Sequence, residues 1–175
     1  MLIPNLQTER LTLRAPKSDD FPAIAAFYSS ERSQYVGGPK RPDEAWRMLG
    51  LEIGHWSLRG YGRWAVEEKA TGTFCGLVGL WNPEGWPEPE IGWDLMNGLE
   101  GKGFATEAAL AARSFAYETL GWTTAISLIA PDNVKSAGLA RRIGAQHERD
   151  FHHHLFGPMQ IWRHLSADSV HKGAA

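Results

Sequence analysis

A turn with the spacing Gly101-x-Gly103-x-Ala105 lies between a segment that alternates like a strand, Glu90-Ile91-Gly92-Trp93-Asp94-Leu95, and one with the periodicity of a helix. Glycines at such a turn let backbone N–H groups approach a ligand closely and adopt positive φ. The first turn of the following helix carries unsatisfied donors and a partial positive charge. Together these features suit a phosphate group. The same residues also fit a helix-capping turn that binds nothing. Two other phosphate patterns are excluded. Gly101-x-Gly103-x-x-Thr106 lacks the third glycine of a dinucleotide fingerprint, and Lys102 is followed by Gly103 rather than by the Ser/Thr of a Walker lysine pair.

Other reactive side chains give weaker signals. His152-His153-His154, with His147 and His164, invites a metal reading. Consecutive strand residues point to opposite faces, so three in a row do not converge on one ion, and no metal is expected. Cys75 sits in an apolar strand and reads as a small core residue rather than a nucleophile. Eight tryptophans are many for 175 residues. Trp81, Trp86 and Trp93 fall on or beside the Pro- and Trp-rich loop Asn82-Pro83-Glu84-Gly85-Trp86-Pro87-Glu88-Pro89, where they wall an acceptor pocket or fill the core.

These residues need a scaffold, and the pattern supplies one. Arg10–Arg14 alternates as a half-buried strand. Ser18-Asp19-Asp20 offers helix-capping chemistry ahead of Phe21, Ile24, Ala25 and Tyr28, and Gly37-Gly38-Pro39 breaks the chain. A second helix starts at Arg41-Pro42-Asp43-Glu44, with Trp46, Leu49, Ile53 and Trp56 as its expected apolar stripe. Trp64–Glu67 and Phe74–Trp81 form a hairpin through Lys69-Ala70-Thr71-Gly72. A helix from about Ala105 to Thr119 presents Ala105, Ala108, Ala109, Ala112, Phe115 and Ala116 on one face. A strand over Thr124–Ile129, a helix over Asn133–Ile143 and two C-terminal strands near Gln146–His153 and Met159–His164 complete the order β-α-α-β-β-β-α-β-α-β-β. That order implies an α/β (α+β) fold, a sheet covered by helices, in one domain spanning residues 1–175.

Composition narrows the class. Hydrophobic residues make up 43% and charged residues 22%, the balance of a soluble globular chain. A net charge of -2 gives no sign of a general nucleic-acid binder. The start, Met1-Leu2-Ile3-Pro4, meets Glu9 and Arg10 before a long apolar run develops, so neither a secretory signal nor a membrane span is expected. One cysteine allows no internal disulfide, in keeping with a cytoplasmic protein.

Three motifs in the right order carry a resemblance. Glu100-Gly101-Lys102-Gly103-Phe104-Ala105, continued by Thr106-Glu107-Ala108, resembles the acetyl-CoA motif Gln/Arg-x-x-Gly-x-Gly/Ala of the GNAT acetyltransferases. Asn133-Val134-Lys135-Ser136 with the later Ile143-Gly144-Ala145 resembles that family's second motif. Thr8-Glu9-Arg10-Leu11-Thr12-Leu13-Arg14 resembles the opening strand of the RimJ/RimL-like branch, which acetylates ribosomal-protein N-termini.

The resemblance implies a mixed, mostly antiparallel sheet of about seven strands, splayed between its fourth and fifth, Glu90–Leu95 and Thr124–Ile129, and flanked by about four helices. It implies acetyl-CoA as acetyl donor, held by Gly101, Lys102, Gly103, Phe104, Ala105 and Thr106, with pantetheine running past Leu95 and meeting Asn133, Lys135 and Ser136. It implies direct transfer to a primary amine, either a protein N-terminus or a small molecule such as an aminoglycoside or polyamine, by a monomer or homodimer. Glu90 heads the strand beside the acetyl group and is the candidate base, with a solvated strand-end acid as the alternative. The family's Tyr proton donor falls at Ala140 here, which leaves Ser136 or water for that role. Glu100 replaces the usual Gln/Arg, and a carboxylate beside pyrophosphate repels it unless turned away. A non-catalytic acetyl-CoA sensor of the same fold is the other functional class that these motifs allow.

Overall fold

The structure is a computed structural model that describes residues 2–173, with side chains described through residue 170. Its strands are β1 (Leu6–Gln7), β2 (Leu11–Arg14), β3 (Arg63–Glu68), β4 (Thr73–Trp81), β5 (Glu90–Leu95), β6 (Ile126–Ile129), β7 (Gln146–His153) and β8 (Gly157–Arg163). They form one sheet in the order β1-β2-β3-β4-β5-β6-β8-β7. The helices are α1 (Phe21–Tyr28), α2 (Pro42–Arg59), α3 (Phe104–Glu118), α4 (Val134–Arg142) and α5 (Ala167–Gly173), with a 3-10 helix over Glu31–Val36 between α1 and α2. The expected seven strands gain β1, whose two residues pair Leu6 with Leu13 and Gln7 with Thr12 and are too few to show a period. The expected four helices gain α5.

Alternation along β3, β4 and β5 sends two sets of side chains to opposite faces. On one face Ala65 and Leu77 meet Ile24, Phe27, Tyr28, Ala45 and Leu49 of α1 and α2. On the other, Leu11, Leu13, Trp64, Val66, Cys75, Val78 and Ile91 meet α3. Ala108, Ala109, Ala112 and Ala116 are fully buried there, so the helix axis lies close to the sheet. A larger side chain at any of them would overpack the contact at a cost of about 1–3 kcal/mol.

The buried stripe of α2 differs from the expected one. Leu49 and Trp56 are buried, whereas Trp46 and Ile53 are 54% and 41% exposed. Ala45, Glu52 and His55 turn inward instead. Glu52 pairs with the buried Arg63 of β3, and His55 donates from Nδ1 to the Tyr61 carbonyl while Nε2 accepts from the Asn82 amide. Polar partners inside the protein have rotated the helix away from the face that hydrophobicity alone selects.

All neighbouring strands are antiparallel except β5 and β6, whose parallel register has one pair of partners, Glu90 and Ile126. The Ile126 amide donates to the Pro89 carbonyl, and then the strands diverge. Side chains bridge the next rungs. Ser127 Oγ donates to the Ile91 carbonyl at 2.7 Å, and the Leu128 amide donates to Glu90 Oε1 at 3.1 Å. Ser127 in turn accepts from His164 Nε2 at 3.0 Å, and burial holds His164 neutral with a pKa lowered to about 3.

Candidate acetyl-transfer site

The Gly-rich turn closes β5 onto α3. Gly101 and Gly103 have φ of +78° and +82°, the left-handed region that favours glycine, and Gly103 is the N-cap of α3. No side chain caps this helix. Among the described residues, no protein acceptor meets the backbone N–H groups of residues 101–106. A Cβ on Gly101 would find nothing within 4 Å, so the turn is open on that side. Free donors, a helix start and an open approach fit a diphosphate. Phe104 and Ala105 bury their side chains in the core and therefore offer only backbone N–H. Lys102 and the half-buried Thr106 stay at the surface side of the turn.

A brace from the N-terminal corner holds this turn, and no local sequence pattern marks it. Arg10 donates from Nη1 to the Lys102 carbonyl at 2.9 Å and from Nε to Glu107 Oε2 at 2.7 Å. Its guanidinium lies 5.0 Å from the Phe104 ring centre. Glu107 Oε1 accepts from the Arg10 amide and from Thr8 Oγ1. Burial pushes the Glu107 carboxyl up, but these donors outweigh it and hold it below the ordinary range. Residues nearly a hundred positions apart thus set the angle at which α3 begins.

Glu90 stands at the vertex of the splay and is 7% exposed. Oε1 accepts from the Leu128 amide, and Oε2 accepts from Trp86 Nε1 of the Pro-rich loop. Burial pushes the carboxyl up to about 7, although both donors and the nearby Arg63 favour its charged form. The solvated strand-end alternative is therefore not what the structure contains. Gly92 and Asp94 share its face, where the Arg63 side chain crosses Gly92 to reach Asp94 and Glu52. Burial opposes the Arg63 charge, and the two carboxylates more than offset it.

The other face carries the second motif. Asn133 Oδ1 caps α4 by accepting from the Ser136 amide at 3.2 Å, which leaves its Nδ2 donors for other partners. Ser136 Oγ accepts from Trp93 Nε1 at 3.2 Å, so its own hydroxyl hydrogen remains available. Lys135 is exposed. Ala140 is fully buried among Ile129, Ala137, Ala145 and Trp162, a place without room for a tyrosine ring. The Leu95 carbonyl, at the wide end of the splay, accepts from Arg32 Nη2 at 3.0 Å.

An open cleft of about 450 Å³ lies at the wide end of the splay, past the C-terminal end of β6. Its walls are Gln34 and Tyr35 of the 3-10 helix, Ala130, Pro131 and Asp132 after β6, and Phe156, Pro158 and Met159 at the β7–β8 turn. Trp86 packs against this group, its ring 5.9 Å from that of Phe156. Trp81 instead stacks on His55 at 4.5 Å beneath Arg63, and Trp93 faces α4, so neither is among the cleft-lining residues. No local sequence pattern marks the 3-10 helix and the β7–β8 turn as cleft walls, because only the tertiary fold brings them to the splay. Among the described residues no three His, Cys, Asp or Glu side chains form a metal-sized group, and no helix is long and apolar enough to cross a membrane.

A sheet opened between two parallel strands, a donor-rich turn beside the opening and a buried acid at its vertex are features suited to an acyltransferase. The sequence pattern of the acetyltransferase (GNAT) domain matches residues 10–146, and the chain belongs to that family as an N-acetyltransferase. The acetyltransferase of Agrobacterium tumefaciens str. C58 shares 38% identity at a TM-score of 0.86, covering 94% of this chain and 96% of that one. The uncharacterized N-acetyltransferase YoaA of Bacillus subtilis (strain 168) is 26% identical over 151 residues, 84% of this chain and 85% of its own. The ribosomal-protein-S5-alanine acetyltransferase of Vibrio fischeri, at 18% identity and a TM-score of 0.72 over 95% and 99% of the two chains, shares the fold.

Proposed function

We propose that the protein transfers the acetyl group of acetyl-CoA directly to a primary amine, with Glu90 as general base. The observation that carries this reading is the position of Glu90. It is buried and poised near neutrality at the vertex of the splay, and Trp86 links it by a hydrogen bond to the Phe156 wall of the open cleft. Bound acetyl-CoA supplies the activated acyl group, its diphosphate on the N–H groups of residues 101–106. Glu90 takes the proton that the amine nitrogen must lose as the C–N bond forms, directly or through one water. Ser136 gives its hydroxyl proton to the departing sulfur and recovers one from solvent. Trp93 holds Ser136 for that step by its Nε1 donor.

Charge supports an amine that arrives as ammonium. Glu52 and Asp94 flank Arg63, and Glu90 lies near it, so three carboxyl groups surround this one guanidinium. The excess of negative charge draws a cation toward the vertex, and Glu90 can then remove its proton. Phe156, Met159, Pro158 and Tyr35 give the cleft an apolar and aromatic lining suited to a peptide N-terminus with a small side chain, or to a small amine with an apolar body. The test is an acetyl-CoA turnover screen against peptide N-termini and small amines, with the product identified by mass. Stoichiometric CoA release with an acetylated amine supports the reading. Tight acetyl-CoA binding without release under every acceptor tried would make the protein a sensor instead.

A further inference from the structure

Glu100 stands where the family motif carries Gln or Arg, one residue before the glycine turn, and its carboxylate does not stand alone. Arg32 of the 3-10 helix meets Glu100 Oε1 with Nε at 2.8 Å. The same guanidinium donates from Nη1 to Asn97 Oδ1 at 2.6 Å and from Nη2 to the Leu95 carbonyl at 3.0 Å. It lies 5.5 Å from the centre of the Phe27 ring, which fixes its plane. One side chain therefore grips the connection from β5 to the turn at residues 95, 97 and 100, more than sixty positions away in sequence.

We propose that Arg32 is a positioning residue for the donor site: it cancels the Glu100 charge and sets the path of the loop, so that a diphosphate can settle on the turn despite the acidic substitution. This inference rests on the reading of residues 101–106 as the diphosphate site. The motif position that usually contributes a neutral or cationic side chain here contributes an anion. A like charge beside a bound anion is costly, and the opposite charge that removes the cost comes from a separate element. The pair is about one-third exposed on both sides, so its direct contribution to folding stability is small. Its effect belongs in ligand affinity.

The experiment is calorimetric titration of acetyl-CoA into wild type, Arg32→Gln, Glu100→Gln and the double variant, at low and high salt, with a thermal melt of each. Arg32→Gln should weaken acetyl-CoA binding by about ten- to a hundredfold, while melting shifts by only a few degrees. Glu100→Gln alone should bind at least as well as wild type. The double variant should recover to within about threefold of wild type, because the uncompensated carboxylate has gone. Added salt should narrow the gap between wild type and Arg32→Gln, since it screens an exposed repulsion. An Arg32→Gln protein that binds like wild type overturns the proposal. So does a double variant as weak as Arg32→Gln, which would assign the whole effect to the Leu95 and Asn97 contacts. If wild type itself takes up no acetyl-CoA, the proposed function fails and this inference falls with it.

Discussion

Trp86 donates its indole N–H to the Glu90 carboxylate, so a residue packed on the cleft wall at Phe156 also favours ionisation of the buried acid at the vertex of the sheet. The Pro- and Trp-rich loop and the candidate base are one hydrogen-bonded unit. Changes on the cleft side should therefore be read out in the pH dependence of the reaction.

Glu90→Gln should lower kcat by about ten- to a thousandfold and leave acetyl-CoA affinity nearly unchanged. A general base acts in its carboxylate form, and burial lifts the pKa of Glu90 from 4.5 to about 7. The rate should thus fall as pH drops through about 7, and this acid limb should be missing from the variant. Stability carries the opposite sign. Ionising Glu90 is disfavoured in the folded state, so the penalty is absent below pH 4.5, grows up to about pH 7 and is constant above it. The shift corresponds to about 3 kcal/mol, and Glu90→Gln should gain roughly that much relative to wild type between pH 4.5 and 8. Denaturant unfolding at the two pH values checks it. Wild-type kcat across pH 6 to 9 in the variant would remove Glu90 from the mechanism.

Trp86→Phe keeps an aromatic ring against Phe156 and His153 but deletes the N–H that favours the charged carboxylate. Hydrogen bonds to charged groups are worth about 1.5–3 kcal/mol, so the acid limb should move up by about one to two pH units. Trp86→Ala should in addition raise KM for the amine more than KM for acetyl-CoA. An unmoved acid limb in Trp86→Phe would separate the indole from the base.

The strand and helix order was legible because each element is long enough to show its period, and the glycine turn because only glycine accepts φ near +80° at Gly101 and Gly103. Glu90 could be located on its strand but not weighed. Its burial follows from the divergence of β5 and β6, where Leu128 finds a side-chain acceptor instead of a carbonyl. The Arg32–Glu100 pair, the Arg10 brace and the cleft walls join residues far apart in the chain, and no local pattern encodes them. The α2 stripe misled for a related reason, since Glu52 is buried by a partner eleven residues on rather than by its own polarity.

Glu52→Ala should destabilise the fold strongly. Arg63 is buried and held by Glu52 and Asp94, and removing one carboxylate leaves a buried cation with half of its compensation. Breaking a buried pair from one side costs about 3–5 kcal/mol, and urea unfolding should report a loss of that size. A loss below about 1 kcal/mol would mean that water reaches Arg63 readily.

Gly103→Val should abolish measurable acetyl-CoA binding while the protein stays folded. Gly103 sits at φ +82°, which a β-branched residue adopts only with strain, so the turn would have to rearrange. A Cβ there would also lie 3.2 Å from Arg10 Nη2, pressing on the brace that fixes the Lys102 carbonyl. Both effects turn the free N–H groups of residues 101–106 away from one common point. Losing two charge-assisted hydrogen bonds would cost about 3–6 kcal/mol, or roughly two to four orders of magnitude in affinity. The fold should tolerate the change, because the turn is exposed and the alanine face of α3 is untouched. Arg10→Ala should give a milder version, weaker binding with wild-type φ available at Gly103. Calorimetric titration of acetyl-CoA into all three proteins, each checked by a circular-dichroism melt, decides the matter. A folded Gly103→Val protein that binds acetyl-CoA like wild type would place the diphosphate somewhere other than this turn.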